Sequence, residues 1–262
     1  IERKKKVKPK PKQNNRCRIF FLLTSRPLSD GLATRGRYPA DIRQNPLVSI
    51  VRTMARGAFI VLEGLDRAGK STQVSMIVEA LKERNVPVER RVFPDRSTAI
   101  GGIINDYLAK KIELAPEAVH LLFSANRWEC KDGILETLEK GRTLIVDRYA
   151  ASGAAYSAAT TGRPLSWCTS PDQGLPAPDL VLYLDVTPET QQQRSNWGEE
   201  RFERAETQRK VAENFRKLSE SGNWAFVEAG LDKLEVHREL LQKVLDVLEG
   251  CKDKPIGKLY ED

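Results

Sequence analysis

Long hydrophobic runs are missing from this chain of 262 residues. The longest early one, Ile19 to Leu23, holds five residues, whereas a membrane-spanning helix needs about 20 and the core of a secretory signal about 7 to 15. Neither a membrane protein nor a secreted one fits. Cysteine is scarce too: Cys17, Cys130, Cys168 and Cys251 lie far apart and form no C-x-x-C pair. Free thiols in a reducing compartment are expected, and a metal site built from them is not. The only two histidines, His120 and His237, are read as packing or surface residues, not catalysts. An N-K-x-D guanine signature is absent, which argues against a GTPase switch.

What is present is unevenly distributed. Residues 1–56 contain 15 of the 43 lysines and arginines but only three of the 36 acidic residues, so the net charge of +7 belongs to this segment and the remainder is mildly acidic. The segment opens with a lysine-rich stretch interrupted by Pro9 and Pro11 and shows no sustained periodicity. Residues 1–55 are therefore expected to be a disordered basic extension. Its main reading is an inert tail on a cytoplasmic, and also nuclear, protein. Mitochondrial targeting is an alternative that the early lysine run disfavours, and nucleic-acid contact is a further, less favoured one.

From Ala58 the pattern changes. Short apolar runs at Phe59 to Leu62, Val88 to Phe93, Thr143 to Asp147, Asp179 to Val186 and Ala225 to Glu228 read as buried strands. Helical spacing follows from about Lys70, and again over Ile100 to Leu108, Pro116 to Leu138, Glu206 to Leu218 and Leu234 to Leu248. Strands that alternate with helices predict one three-layer α/β domain over residues 56–252, with a parallel sheet of about five strands and a tail over 253–262. Ligands bind beyond the carboxyl ends of such strands.

Gly64-Leu65-Asp66-Arg67-Ala68-Gly69-Lys70-Ser71 matches G-x-x-x-x-G-K-[ST], placed after a strand and opening a helix. Backbone N–H groups in such a loop wrap phosphates, and the helix N-terminus adds partial positive charge. Lys70 is expected to reach the β and γ phosphates and Ser71 to offer its hydroxyl to Mg²⁺. Asp147, ending a strand, is placed to orient water on that ion, or else to cap the following helix.

Further blocks are Leu62-Glu63-Gly64, Phe93-Pro94-Asp95-Arg96-Ser97-Thr98, Ser124-Ala125-Asn126-Arg127-Trp128-Glu129, Val146-Asp147-Arg148-Tyr149 and Gly174-Leu175-Pro176. In this order they resemble the thymidylate kinases, closest to the eukaryotic enzymes, over roughly four fifths of the chain. The resemblance implies a P-loop fold, a homodimer, and transfer of a phosphoryl group from Mg²⁺-ATP to dTMP. It places Gly64, Ala68, Gly69, Lys70, Ser71, Thr72 and Arg194 at ATP, and Arg67 as a catalytic arginine within the loop. It places Arg96 and Arg148 at the acceptor phosphate, Arg148 also bridging to the donor, and Asp66 near the 3′-hydroxyl. Phe123 would stack on thymine and Arg127 donate to the base O4, with Phe93, Leu108, Ser152, Gly153 and Gln208 around them. Read alone, Phe123 belongs to a buried stripe, and a purely structural turn is the less favoured alternative for Asp66. Arg194 to Arg204 would form a lid over ATP. The chain departs from the family at Phe202, where tyrosine is usual, and at Tyr156, where phenylalanine is common. Another pyrimidine nucleoside monophosphate kinase, acting on dUMP or with broader specificity, is the leading rival reading, and a non-catalytic ATP-binding regulator is a less favoured one.

Overall fold

The computed structural model describes residues 55–193 and 201–261. Within them a five-stranded parallel sheet runs in the order β2-β3-β1-β4-β5. Its strands are β1 (Phe59–Gly64), β2 (Val88–Val92), β3 (Thr143–Asp147), β4 (Leu180–Asp185) and β5 (Trp224–Glu228). Burial follows position. Every residue of β1 and β3 is buried, while the edge strands β2 and β5 keep exposed residues, as a sheet covered on both faces requires of its centre.

The two-residue period of a strand divides the core. Ile60 and Leu62 of β1 pack on one face with Val74, Ile77 and Leu81 of α1 (Lys70–Glu83), with Phe215 of α8 (Ala205–Leu218) and with Leu240 of α9 (Lys233–Gly250). Phe59 and Val61 pack on the other with Ile134 and Leu138 of α4 (Lys131–Glu139), and with Ile256, Leu259 and Tyr260 from the C-terminal segment. Each of these side chains that is fully buried contributes about 1.5–3 kcal/mol of transfer free energy, and the partly buried Ile256, Leu259 and Tyr260 contribute less. The C-terminal segment runs antiparallel to the Gly174–Ala177 loop through Gly174 N–H to Leu259 O at 2.9 Å and Leu259 N–H to Leu175 O at 2.8 Å. No helix among the described residues is long and apolar enough to cross a membrane.

Two differences from the sequence reading concern helices. The stretch read as one helix from Pro116 to Leu138 is two, α3 (Pro116–Glu129) and α4, separated at Cys130. There the ladder tightens, with Cys130 N–H donating to Arg127 O at 3.2 Å. The break lets α3 line the ligand cleft while α4 turns its apolar residues under the sheet, and no glycine or proline marks it. The second difference is an addition. Helices α5 (Ala150–Thr161), α6 (Leu165–Thr169) and α7 (Pro188–Gln193) were not foreseen, nor was the 3₁₀ turn Ser170–Asp172. The α5 sequence of alanine, serine, threonine and glycine, with Tyr156 its one large side chain, carries no apolar stripe, and it is helical because α8, α3 and α6 enclose it. The remaining helix, α2 (Ala99–Leu108), starts as expected, capped by the Thr98 hydroxyl accepting from Gly101 N–H.

Register carries the strand ends to one place. Leu62 lies opposite Asp147, and Asp147 opposite Val92. The extensions continue this pairing, Arg148 N–H to Leu62 O and Phe93 N–H to Asp147 O, both at 3.0 Å. The loops after β1, β2 and β3 therefore emerge side by side.

At the opposite end of β1, Arg56 donates from Nη1 and Nη2 to the Asp179 carboxylate at 2.8 and 2.6 Å and from Nε to Lys254 O at 2.5 Å. Asp179 also accepts from Phe59 N–H at 2.8 Å. Hydrogen bonding to Asp179 holds the Arg56 pKa above its ordinary value against the pull of burial. A chain beginning at Met54 keeps this clamp, whereas one beginning at Gly57 is expected to be about 1–3 kcal/mol less stable. Urea denaturation of the two checks this, and coincident midpoints would show that the clamp contributes nothing.

Candidate active site

Beyond the carboxyl ends of these strands lies a cleft of about 800 Å³, within the range of small-molecule sites. Its floor is the loop between β1 and α1. Gly64 has φ +144°, and a Cβ there would lie 2.7 Å from Leu184 O, so no other residue fits. Gly69 immediately precedes α1 at φ 97°, and the loop delivers the N-terminal N–H groups of a 14-residue helix to the cleft. Lys70 crosses beneath the loop, donating to Gly64 O and Leu65 O at 3.0 and 2.5 Å. Burial, reinforced by the nearby Arg148 charge, lowers its pKa to about 7.

The Ser71 hydroxyl donates to Asp147 Oδ2, and both residues line the cleft beside Thr72. Asp147 does not cap α5. The N–H groups of Tyr149 and Ser152 donate instead to Glu63 Oε1 at 2.9 and 3.0 Å, with the Ser152 hydroxyl on Oε2 at 2.5 Å. Burial raises the Glu63 pKa against these donors. Glu63 stands in a recognised block, yet its role as a tie between β1 and α5 had no signal in the sequence.

Asp66 is held from three sides. Arg148 Nη2 donates to Oδ1 at 2.5 Å, Gln208 Nε2 to Oδ2 at 2.6 Å, and Asp66 N–H donates back to Gln208 Oε1 at 3.1 Å. Gln191, unforeseen, donates to Asp66 O and to Gln208 Oε1 at 2.8 and 2.9 Å. Burial opposes the charge on Arg148, but Tyr156, Asp66, Asp147 and Glu63 outweigh it and hold the guanidinium pKa above its ordinary value. Arg148 and Arg67 both adopt positive φ, 66° and 61°, a backbone state that side chains rarely take and that surrounding contacts must hold. The Arg67 Nε donates to Glu203 at 2.6 Å, a carboxylate that is 1% exposed. Glu203 falls in the stretch expected to form the lid and was not singled out.

Across the cleft stand Phe93, Arg96, Leu108, Phe123 and Arg127. Phe123 is only partly buried and belongs to the wall, not to the core. Arg96 is exposed, with Nη1 at 3.2 Å from Asn105 Oδ1. Arg127 is buried, paired with Asp172, and Gly153 lies directly against it. Ser152 and Gly153 reach the cleft on α5, while Gln208 acts from behind through Asp66. Phe202 reaches the same wall and packs against Tyr156 and Tyr107, centroids at 5.7 and 6.4 Å. Gly64 and Ala68 shape the loop without lining the cleft. Arg194 and residues 195–200 of the expected lid lie outside the described residues.

The sequence pattern of the thymidylate kinase family matches residues 62–240. A thymidylate kinase of Arabidopsis thaliana is 47% identical over 206 residues, covering 78% of each chain. One of Homo sapiens is 44% identical over 208 residues, covering 79% of this chain and 98% of its own. Among solved structures, the thymidylate kinase of Candida albicans superposes with a TM-score of 0.70 at 36% identity, covering 79% of this chain and 99% of its own. With a P-loop, a strand-end carboxylate and an aromatic and arginine wall gathered in one cleft, and with relatives aligned along 78% to 99% of their own length, this chain belongs to the thymidylate kinase family.

Proposed function

We infer that the chain transfers the γ-phosphoryl group of ATP to dTMP, giving ADP and dTDP. The observation that carries this reading is that the P-loop and the Phe123 and Arg127 wall open on the same cleft. An oxygen of the acceptor phosphate attacks the γ phosphorus as the bond from that phosphorus to the β–γ bridging oxygen breaks, and the electron pair leaves with ADP. Charge spreads over the transferred group during this step, so cations on both sides matter more than covalent help. Lys70 and the N-terminus of α1 hold the donor phosphates. Arg148, fixed between Asp66 and the strand end, stands where acceptor and donor meet, and Arg96 holds the acceptor phosphate. Asp66 receives the 3′-hydroxyl, and Phe123 with Arg127 holds the base.

Ser71 and Asp147 offer one hydroxyl and one carboxylate. No group of three or more histidine, cysteine or acidic side chains among the described residues makes a closed metal cage. That sparse oxygen set suits Mg²⁺, which keeps waters and takes phosphate oxygens as its other ligands. When bound, Mg²⁺ neutralises charge on the β and γ phosphates. A homodimer is part of the proposal, and the exposed Ile103 and Leu121, on the contacting helices α2 and α3, offer apolar surface for it. The free thiols of Cys130, Cys168 and Cys251 suit a cytoplasmic setting.

A panel of nucleoside monophosphates with ATP and Mg²⁺, followed by ADP release, tests the reaction. dTMP is expected to be the best acceptor, and a preference for AMP or CMP would overturn the reading. Arg67→Ala is expected to lower kcat by about 10²–10³-fold, about 3–4 kcal/mol of transition-state stabilisation, with a small change in KM for ATP. An effect confined to KM would make Arg67 a ground-state binding residue.

Lys70 generates a prediction in pH. Its folded pKa of about 7 lies below its ordinary 10.5. The phosphate-free protein therefore carries the full penalty of a buried ammonium below about pH 7 and loses that penalty as pH rises toward 10.5. Phosphate binding favours the charged form. At about pH 8 ATP binding is expected to take up close to one proton at this residue, and affinity to fall about tenfold per unit above pH 7. Calorimetry in buffers of different ionisation enthalpy, on wild type and Lys70→Met, measures the difference. Equal proton uptake by both proteins would show that Lys70 is already charged before ATP arrives.

A further inference from the structure

The proposed acceptor site relies on Arg127, and the structure explains why that arginine can read a base. Arg127 is 2% exposed on its side chain and Asp172 is fully buried. The pair is bidentate, Nε to Oδ1 at 3.0 Å and Nη2 to Oδ2 at 2.7 Å. Gly153 closes the other approach: a Cβ there would lie 2.6 Å from Nη2 and 2.9 Å from Nη1. One edge of the guanidinium is thus occupied and the bare backbone of α5 lies against it. Among the described residues Nη1 has no hydrogen-bond partner, and its side chain lines the cleft.

Asp172 is itself fixed. The Ser124 hydroxyl, one helical turn before Arg127, lies 2.7 Å from Asp172 Oδ1 and 3.0 Å from Pro171 O. Trp128 Nε1 donates to Pro171 O at 2.7 Å. Three successive contacts from one face of α3 therefore hold the Ser170–Asp172 turn, and that turn returns a carboxylate to the same helix. Behind it, the loop at Gly174 and Leu175 is paired with Leu259.

We propose that Asp172 is a positioning residue for base selection: by occupying the Nε and Nη2 edge of Arg127 it leaves Nη1 as the donor presented to the base. The proposal rests on the reading of dTMP as acceptor. A guanidinium donates and never accepts. Held in one orientation, it pairs with the 4-keto oxygen of thymine or uracil and meets the 4-amino group of cytosine donor to donor. An arginine free to turn could yield to the wrong base, and a neutral or displaced partner would release it. A site whose buried donor is left unpaired by the wrong ligand discriminates far more strongly than one that merely fits shape.

The test measures kcat/KM for dTMP and for dCMP, at saturating ATP, in the full chain. Asp172→Asn keeps the volume and loses the charge and one acceptor. It is expected to lower the dTMP to dCMP ratio by about tenfold or more, mainly through KM for dTMP, with KM for ATP changed less than about twofold. Asp172→Glu keeps the charge but shifts it by one methylene, and it decides the question if the asparagine variant does not fold. In an Arg127→Met background, adding Asp172→Asn is expected to change the ratio less than about twofold, because no guanidinium remains to be oriented. A ratio within about twofold of wild type in the Asp172 variants, whatever the change in melting temperature, would make Asp172 a structural counter-ion and overturn the proposal. A wild type without preference for dTMP over dCMP would overturn the reading of the acceptor site, and this inference with it.

Discussion

The geometry of this cleft depends on one buried carboxylate. Glu63, next to the last residue of β1, accepts the N–H groups of Tyr149 and Ser152 and the Ser152 hydroxyl. It thereby ties the end of the central strand, one residue before the phosphate-binding loop, to the start of α5. With that distance set, Arg148 has little freedom and falls against Asp66 and Gly64 O. Through α5, Gly153 is brought against Arg127. The loop after β1, Arg148 and the wall that carries Arg127 are in this way referenced to a single point. A carboxylate with several donors offsets the cost of its own burial, which is how a charged group can serve as a structural centre here.

The same cost explains why each arginine of the cleft that lies partly or wholly out of water has a carboxylate. Arg148 meets Asp66, Arg67 meets Glu203 and Arg127 meets Asp172. A buried guanidinium without a counter-charge would destabilise the fold by several kcal/mol, so the pairs are a condition of keeping cations in an enclosed site before phosphates arrive. Lys70 is the contrasting case. Among the described residues it donates only to loop carbonyls, and burial together with the nearby Arg148 charge lowers its pKa.

Much of this was legible along the chain. The five strands were found to within one or two residues, because a sheet buried on both faces needs continuous apolar runs bounded by turns. The P-loop was legible because its chemistry is local: glycines, a lysine and a serine must follow one another at fixed spacing to surround a phosphate. Phe123 and Arg127 were paired by the four-residue repeat of a helix. What escaped was set by packing. Helix α5 has no stripe to detect, and the break at Cys130 has no breaking residue.

By itself the sequence determined the fold class, the order of elements and the local machinery for phosphate, since these follow from periodicity and from contacts between near neighbours. Only the tertiary structure decided which carboxylate serves which cation. Asp172 lies 45 residues from Arg127, Glu203 lies 136 from Arg67, and Asp66 lies 82 from Arg148. No spacing rule connects such positions, because their meeting depends on the register of β1 with β3, on the path of α5 and on the return of the chain after α6. A charged residue far along the chain looks like any solvated one until burial makes its partner necessary.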